Sequence, residues 1–346
     1  MGSLHLTLLI EDLGRLATAI PADFRLPALE RAWSRGKPCG IPVPTPNHLR
    51  FALFGIEPDG SLPIAALTHV NDRSTRPDDD FYWLRVDPVT VWADMARVFM
   101  TRYGFADLDA YERNEIENCV RSVLSEEGMD LRGEHPERWC IALGEPLEFG
   151  FTPLDEALGL DMAEALPDHP EARYWRRVLN EIQVALHNNP VNVRRRATGR
   201  PEVNSVWFWG GGFVPGAASH YLLDTVYSDD AVSRGLAIIN DCRLKRLEES
   251  MALDFANDGR AVLIDWVPGR SGAEEEALQI EWLAARLLEL ADYGKLSLTI
   301  YDGNGQGRSY GATSRYRFWR RGMPLARALG QTPDQRTERR PERRGP

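Results

Sequence analysis

The second half of the chain alternates between two kinds of pattern, and that alternation constrains the fold more than anything else in the sequence. Apolar runs of strand length occur at residues 204–209, 221–226, 260–266 and 296–301. Between them lie helical patterns. Asp229-Asp230 opens one that runs through Ile239, with acids where a helix N-terminus favours them. Residues 273–290 form another, with Leu278, Trp282, Ala285 and Leu288 on one stripe and Glu281 and Glu289 left to face water. This alternation predicts an α/β fold, a layered sheet flanked by helices. Residues 6–10 add an early buried strand, and residues 315–319 read as a late one.

The first half is less regular. Leu26, Leu29 and Trp33 predict a short helix over residues 27–35. Residues 36–46 and 71–80 read as loops, the first rich in Pro and Gly. Residues 81–86 read as a strand ended by Asp87-Pro88, and residues 138–143 as another. Residues 107–127 and 170–187 form amphipathic helices, the first on Leu108, Ile116, Val120, Val123 and Leu124. No internal repeat is present. The expected organisation is one α/β domain over residues 1–320, with an inserted or peripheral segment at roughly 31–184. An Arg-rich, unfolded tail would follow over residues 321–346.

The 346 residues carry a net charge of -10. From Arg315 onward the charge is +7, so the preceding body carries -17. An acidic body argues against a general nucleic-acid binder. No apolar run approaches the roughly 20 residues of a membrane-spanning helix. The apolar start lacks a basic region and runs into Glu11 and Asp12, unlike a signal peptide. The four cysteines are scattered without ligand spacing. Together these features predict a cytoplasmic protein with free thiols.

The densest motif is His187-Asn188-Asn189-Pro190-Val191-Asn192, followed by Arg195, Gly199, Pro201, Asn204 and Trp207-Phe208-Trp209-Gly210-Gly211-Gly212. It reads as a helix end, a polar turn, an Arg-rich segment and a strand entering a triple-glycine turn. Backbone N–H groups in such a turn can face an anion. The candidate anion site is therefore Asn192, Arg195, Asn204, Gly210, Gly211 and Gly212, with His187 nearby. The plainer reading is a tight turn that needs glycine. Trp207 and Trp209 alternate with Val206 and Phe208, and together they would fill both faces of a buried strand.

An Asn, an Arg three residues on, a Gly four after that, then Asn and W-x-W-G-x-G resembles a hallmark of archaeal-type, cofactor-independent phosphoglycerate mutases. Those enzymes belong to the alkaline-phosphatase-like superfamily. The chain also resembles a bacterial offshoot, the RpfE-type regulatory proteins. The resemblance is carried by Trp83-Leu84-Arg85-Val86-Asp87-Pro88-Val89, His135-Pro136-Glu137-Arg138-Trp139, His187 to Asn192, and Asn204 to Gly212. The RpfE-type pattern often has His after D-P-V, where this chain has Thr90.

The resemblance implies a test for catalysis. Mutases of this type use two metal ions held by Asp and His ligands, and a Ser nucleophile for phosphoryl transfer. Asp12, after the first strand, is the candidate for the first ligand. The last His is His220, so the C-terminal His ligands are absent. Carboxylates alone, from Asp12, Asp265 or Asp302, could still hold a hard divalent metal. Asp302 also begins a run like a calcium loop, but the twelfth position is Thr313, so a glycine-rich turn is expected. The expected function is thus that of an RpfE-type regulator on a catalytically degenerate mutase scaffold. It would need no cofactor and would bind a phosphorylated metabolite or a protein partner, with no membrane or nucleic-acid role. The alternative is an active metal-dependent phosphatase or mutase with an altered carboxylate set.

Overall fold

A computed structural model describes residues 4–330, apart from residues 22, 59, 77–79, 95–96, 106, 221, 270–271 and 321. In chain order the first elements are β1 (Leu4–Ile10), α1 (Leu13–Ala19), α2 (Pro27–Arg35), β2 (Lys37–Gly40) and α3 (Pro46–Phe54). Then come α4 (Ile64–Arg73), β3 (Tyr82–Asp94), β4 (Arg97–Tyr103), α5 (Ala110–Glu126), β5 (Leu131–His135) and β6 (Arg138–Leu143). Next are α6 (Leu154–Ala157), α7 (Met162–Ala165), α8 (Ala172–His187), α9 (Pro190–Ala197) and β7 (Ser205–Gly212). The chain closes with β8 (Thr225–Ser228), α10 (Ala231–Ile239), β9 (Arg243–Lys245), β10 (Ala261–Trp266), α11 (Ala273–Asp292), β11 (Leu296–Asp302), β12 (Gln306–Tyr310) and α12 (Leu325–Ala328).

The described residues form two compact units. One combines the segments before and after residues 56–217, and the other is Ile56–Ala217 itself. The inserted unit thus begins and ends later than the 31–184 read from the sequence. Residues 31–55 give the first unit most of α2, all of β2 and all of α3.

The first unit holds a seven-stranded sheet in the order β2-β12-β11-β1-β10-β8-β9. Its central strands β11, β1, β10, β8 and β9 run parallel. Parallel strands covered on both faces read as unbroken apolar runs, and Leu8-Leu9-Ile10 and Val262-Leu263-Ile264 are wholly buried. On one face Leu6, Leu8, Ile10, Val262 and Ile264 meet α1, α2, α11 and α12. On α11 the buried residues are Ala277, Ile280, Leu283, Ala284, Leu287, Leu288 and Ala291. The expected stripe is rotated: Leu278 and Trp282 are exposed, and Glu281 instead accepts the backbone N–H groups of Ala28 and Leu29 at the start of α2.

Two further expectations change here. Residues 36–46 are not all loop, because β2 pairs with β12 at the sheet edge, where Pro38 is tolerated. Residues 315–319 are not a strand: a 3₁₀ turn covers Ser314–Tyr316, and the last strand is β12. Within the expected tail, α12 buries Leu325, with Leu329 just beyond it, in the first unit's core. Residues 331–346 lie outside the described residues.

The second unit holds a five-stranded antiparallel sheet, β4-β3-β6-β5 with β7 on the other side of β3. Pro88 does not end β3, which runs on to Asp94. β6 pairs with residues 82–85 and β4 with residues 89–94, so the segment around Pro88 lacks a partner on that edge. Nor do the three glycines form a turn; they are the last residues of β7. Gly210 has φ 64° opposite a register shift in β3. A Cβ on Gly211 would collide with the Tyr82 ring. Close approach to neighbouring atoms explains the run of glycines. Helices α5 and α8 pack together in this unit, and Ile116, Val120, Trp175, Ile182 and Leu186 share its core. Among the described residues, no helix is long and apolar enough to cross a membrane.

Candidate functional site

Open α/β sheets gather ligands at the carboxyl ends of their parallel strands. In the first unit those ends carry Glu11 after β1, Ser228 closing β8, Asp230 capping α10, and Asp265 next to last in β10. Helix α3 faces them. It starts at Pro46, with the Thr45 hydroxyl accepting the His48 N–H, and its fifth residue is Arg50. The Arg50 guanidinium is 2% exposed and sits among the carboxylates.

Arg50 Nε donates to Asp265 Oδ2 at 3.0 Å and lies 3.3 Å from Asp230 Oδ1. Its Nη2 donates to Asp265 Oδ1 at 3.2 Å and to Glu11 Oε2. Its Nη1 donates to Asn47 Oδ1 at 3.0 Å. Asp265, fully buried, also accepts from Ser233 Oγ at 2.5 Å and from Ser228 Oγ at 3.3 Å. Asp230 further accepts the Ser233 N–H at 2.8 Å, the N-cap bond of α10. Burial opposes a charge on Arg50, yet Asp230, Asp265 and Glu11 hold its pKa well above the usual value. Burial raises Glu11 above the usual carboxylate range, with Asp265 and Asp230 adding to the rise and Arg50 opposing it.

The three carboxylates predicted as metal ligands do not converge. Asp265 is committed to Arg50 and two serines. Asp302 Oδ1 accepts the N–H groups of Asn304 and Gln306 and shapes the β11–β12 turn. Asp12 is exposed, with φ 53°, and its side chain makes no cap at the start of α1. Among the described residues, no group of three or more His, Cys, Asp or Glu is arranged to hold a metal ion. A two-metal centre needs carboxylate and imidazole ligands free of competing cations. Here the strand-end carboxylates are bonded to a guanidinium, and the chain has no His beyond His220. The residues present do not fit that group.

The candidate anion site lies in the second unit, and its members are engaged by protein. Asn192 is fully buried; its Nδ2 donates to the carbonyls of Leu186 and Val203, and its Oδ1 accepts the Val203 N–H. Arg195, also fully buried, donates to the Pro201 carbonyl at 2.6 Å, Glu112 at 2.9 Å and Asp107 at 2.6 Å. Asn204 pairs with the backbone N–H and C=O of Val91. Gly210, Gly211 and Gly212 lie at the far end of β7 from Asn204, so they are not brought together with Arg195. His187 is exposed at the C-terminus of α8, and its carbonyl accepts from Arg196.

The letters Trp83 to Val89 hold a second buried network. Arg85 clasps Asp87 through Nε at 2.9 Å and Nη2 at 2.5 Å, and its Nη1 reaches Thr68 at 3.0 Å. Trp209 Nε1 donates to Asp87 at 2.8 Å. Sequence reasoning missed Arg50, Glu11 and Asp230 altogether. Acids directly after β1 and directly before α10 were a usable signal. Arg50 had none, because it interrupts the apolar face of a helix that no pattern marked.

No family model matches the chain. It is 25% identical over 219 residues to the 2,3-bisphosphoglycerate-independent phosphoglycerate mutase of Methanosarcina acetivorans, covering 60% of this chain and 52% of that protein. It is 24% identical over 159 residues to a probable enzyme of the same name from Geobacter sulfurreducens, covering 44% and 40%. The chain thus spans about half the length of the curated relatives it matches. Among solved structures, the PH0037 protein of Pyrococcus horikoshii aligns with a TM-score of 0.51 at 15% identity, covering 89% of this chain and 86% of that one. The cofactor-independent phosphoglycerate mutase of Thermoplasma acidophilum aligns with a TM-score of 0.46 at 15% identity, covering 90% of each. The chain is thus similar in sequence to 2,3-bisphosphoglycerate-independent phosphoglycerate mutases, and its mixed α/β fold resembles that of the PH0037 protein.

Proposed function

We propose that this chain is a regulatory protein of the RpfE type, built on a phosphoglycerate-mutase-like scaffold that has given up metal-dependent phosphoryl transfer. The observation that carries the reading is the Arg50 cluster. Carboxylates at the strand ends, where the family's metals are expected, are bonded to a cation of the protein itself. A guanidinium held this way is closed to substrate, and it offers neither an open coordination position nor an activated nucleophile. The protein would then act by binding. The ligand class is a phosphorylated metabolite or a protein partner.

A groove of about 650 Å³ between α5 and α8 is lined by Arg173, Arg176 and Arg177 together with Glu126 and Glu181. Arg177 is tied to Glu127 and Glu181, and Arg176 reaches the Pro167 carbonyl. The test is a mutase and phosphatase assay on the full chain with Mn²⁺ or Mg²⁺, beside calorimetry with 3-phosphoglycerate. The expected result is no turnover with either metal. Metal-dependent interconversion of phosphoglycerates would overturn the reading in favour of a working enzyme with altered ligands.

A further inference from the structure

After the last strand of the first unit, the chain runs back along α2 as a strap. Arg317 Nη1 donates to the carbonyl of Arg35, at the C-terminal end of α2, at 3.0 Å. Gly322 lies beside Glu30. Helix α12 then packs on α2 and α1, and Leu325 and Leu329 anchor it in the core. The outward side of the strap is apolar. Phe318 is 73% exposed, Trp319 67%, Tyr316 58% and Met323 45%. The Phe318 and Trp319 rings meet edge to face, with centroids 5.6 Å apart. Contiguous exposed apolar side chains of this kind mark an interaction surface.

The same stretch is basic. Residues 306–330 carry six arginines and no acid, in a chain of net charge -10. Arg315 donates to the Asp292 carbonyl and to the Tyr316 hydroxyl, and Arg317 to the Arg35 carbonyl. Those acceptors carry no charge to offset theirs. Arg320 and Arg327 are exposed, and Lys37 at the start of β2 extends the basic surface. The acids that border the strap are engaged elsewhere: Glu30 accepts from Arg25, and Asp292 from Arg31 and the Tyr310 hydroxyl. Aromatic rings and arginines thus share one face of a protein whose remaining charge is negative.

We propose that the strap over residues 314–330 docks the protein on an anionic lipid surface. Phe318 and Trp319 enter the interface, and Arg315, Arg317, Arg320 and Arg327 meet the headgroups. Rings this exposed line no cavity, so they call for a partner that deforms around them, and Trp and Tyr favour the bilayer interface. Arginines beside an anionic leaflet add electrostatic attraction, and the acidic body is turned away from it. A nucleic-acid strand would stack its bases on free ring faces, whereas Phe318 and Trp319 cover part of each other. Docking of this kind needs no spanning segment. It is independent of whether the strand-end cluster performs chemistry.

The test is co-sedimentation of the full chain with vesicles of phosphatidylcholine alone and of phosphatidylcholine with roughly 30% phosphatidylglycerol. The wild type is expected to bind only the anionic vesicles, and at least tenfold more weakly in about 0.5 M NaCl. Phe318→Ser/Trp319→Ser and Arg320→Glu/Arg327→Glu should each weaken binding by about tenfold or more. Both should melt within about 2 °C of the wild type, because the altered side chains are exposed. If the aromatic variant unfolds, the arginine variant decides. Removing residues 331–346 should cost less than either. The proposal fails if the wild type ignores anionic vesicles, if it binds both kinds equally, or if a folded strap variant binds as the wild type does. It also fails if removing residues 331–346 alone abolishes binding. A wild type that ignores vesicles but binds fluorescein-labelled oligothymidine would overturn it in favour of a nucleic-acid partner.

Discussion

Two of the almost fully buried arginines, one in each unit, do opposite things with their charge. In the second unit Arg195 meets Glu112 and Asp107, and Arg200 reaches the same two acids from outside. Arg102 pairs with Asp107 too, so three cations face two carboxylates there, and the network ties α9 and the segment after it to β4, to α5 and to the loop before α5. In the first unit one guanidinium, Arg50, bonds three carboxylates, and Arg234 donates to the Ser228 carbonyl beside them. The Arg195 network has more arginines than acids and reads as structure. The Arg50 cluster gathers three acids on one guanidinium and sits where α/β sheets place their chemistry. A buried arginine is therefore informative through the count of charges around it, more than through the motif it belongs to.

Substituting the two arginines should separate them. Arg50→Met leaves the buried Asp265 and the half-buried Glu11 and Asp230 without that guanidinium, and should lower stability by about 3–5 kcal/mol in chemical denaturation. Arg195→Met leaves two acids that Arg200 still neutralises in part, so a loss of about 2–3 kcal/mol is expected from the same measurement. Equal losses would remove the distinction. Asn192→Ala takes away three hydrogen bonds to backbone groups of Leu186 and Val203 and should cost about 1–2 kcal/mol. It should leave any heat of phosphate binding unchanged, because its side chain has no group left for a ligand.

The smallest expected effect is in the pH dependence, and its sign differs between the clusters. Glu11 is raised in the folded state, so the stability it contributes is complete below about pH 4.5 and is lost as pH rises through its folded value. Glu11→Gln mimics the protonated acid, so the wild type should lose stability relative to it from about pH 4.5 toward neutrality. Asp107 is lowered by Arg195, burial notwithstanding, so its contribution is present above about pH 3.8 and lost as pH falls through its folded value. Its gap to Asp107→Asn should hold steady near neutrality and close only in acid. Melting curves across pH 3–7 read both, and parallel profiles would contradict the assignment.

Much of the fold was legible in the residues. Unbroken apolar runs such as Leu8-Leu9-Ile10 and Val262 to Ile264 marked strands covered on both faces, and Asp229-Asp230 marked the start of α10. The errors have physical causes. On α11 the small residues Ala277, Ala284 and Ala291 pack beside Ile280, Leu283, Leu287 and Leu288, so a stripe drawn through Leu278 and Trp282 pointed the wrong way. Pro88 and the three glycines looked like chain breakers, and both lie inside strands, at a gap in pairing and at a close approach. The site was legible only in part. The motif letters drew attention to Arg195 and Asn192, which hold the fold together. The absence of His beyond residue 220 pointed away from a metal centre, but nothing local announced that Arg50, 215 residues before Asp265, would meet its carboxylate.

The central claim is that a guanidinium holds the strand-end cluster of the first unit. Anomalous diffraction from crystals of the full chain soaked in MnCl₂ tests it most directly. The account predicts continuous density for Arg50 between Glu11, Asp230 and Asp265, with no manganese peak there. A manganese peak among those carboxylates, with Arg50 turned out of the cluster, would contradict it.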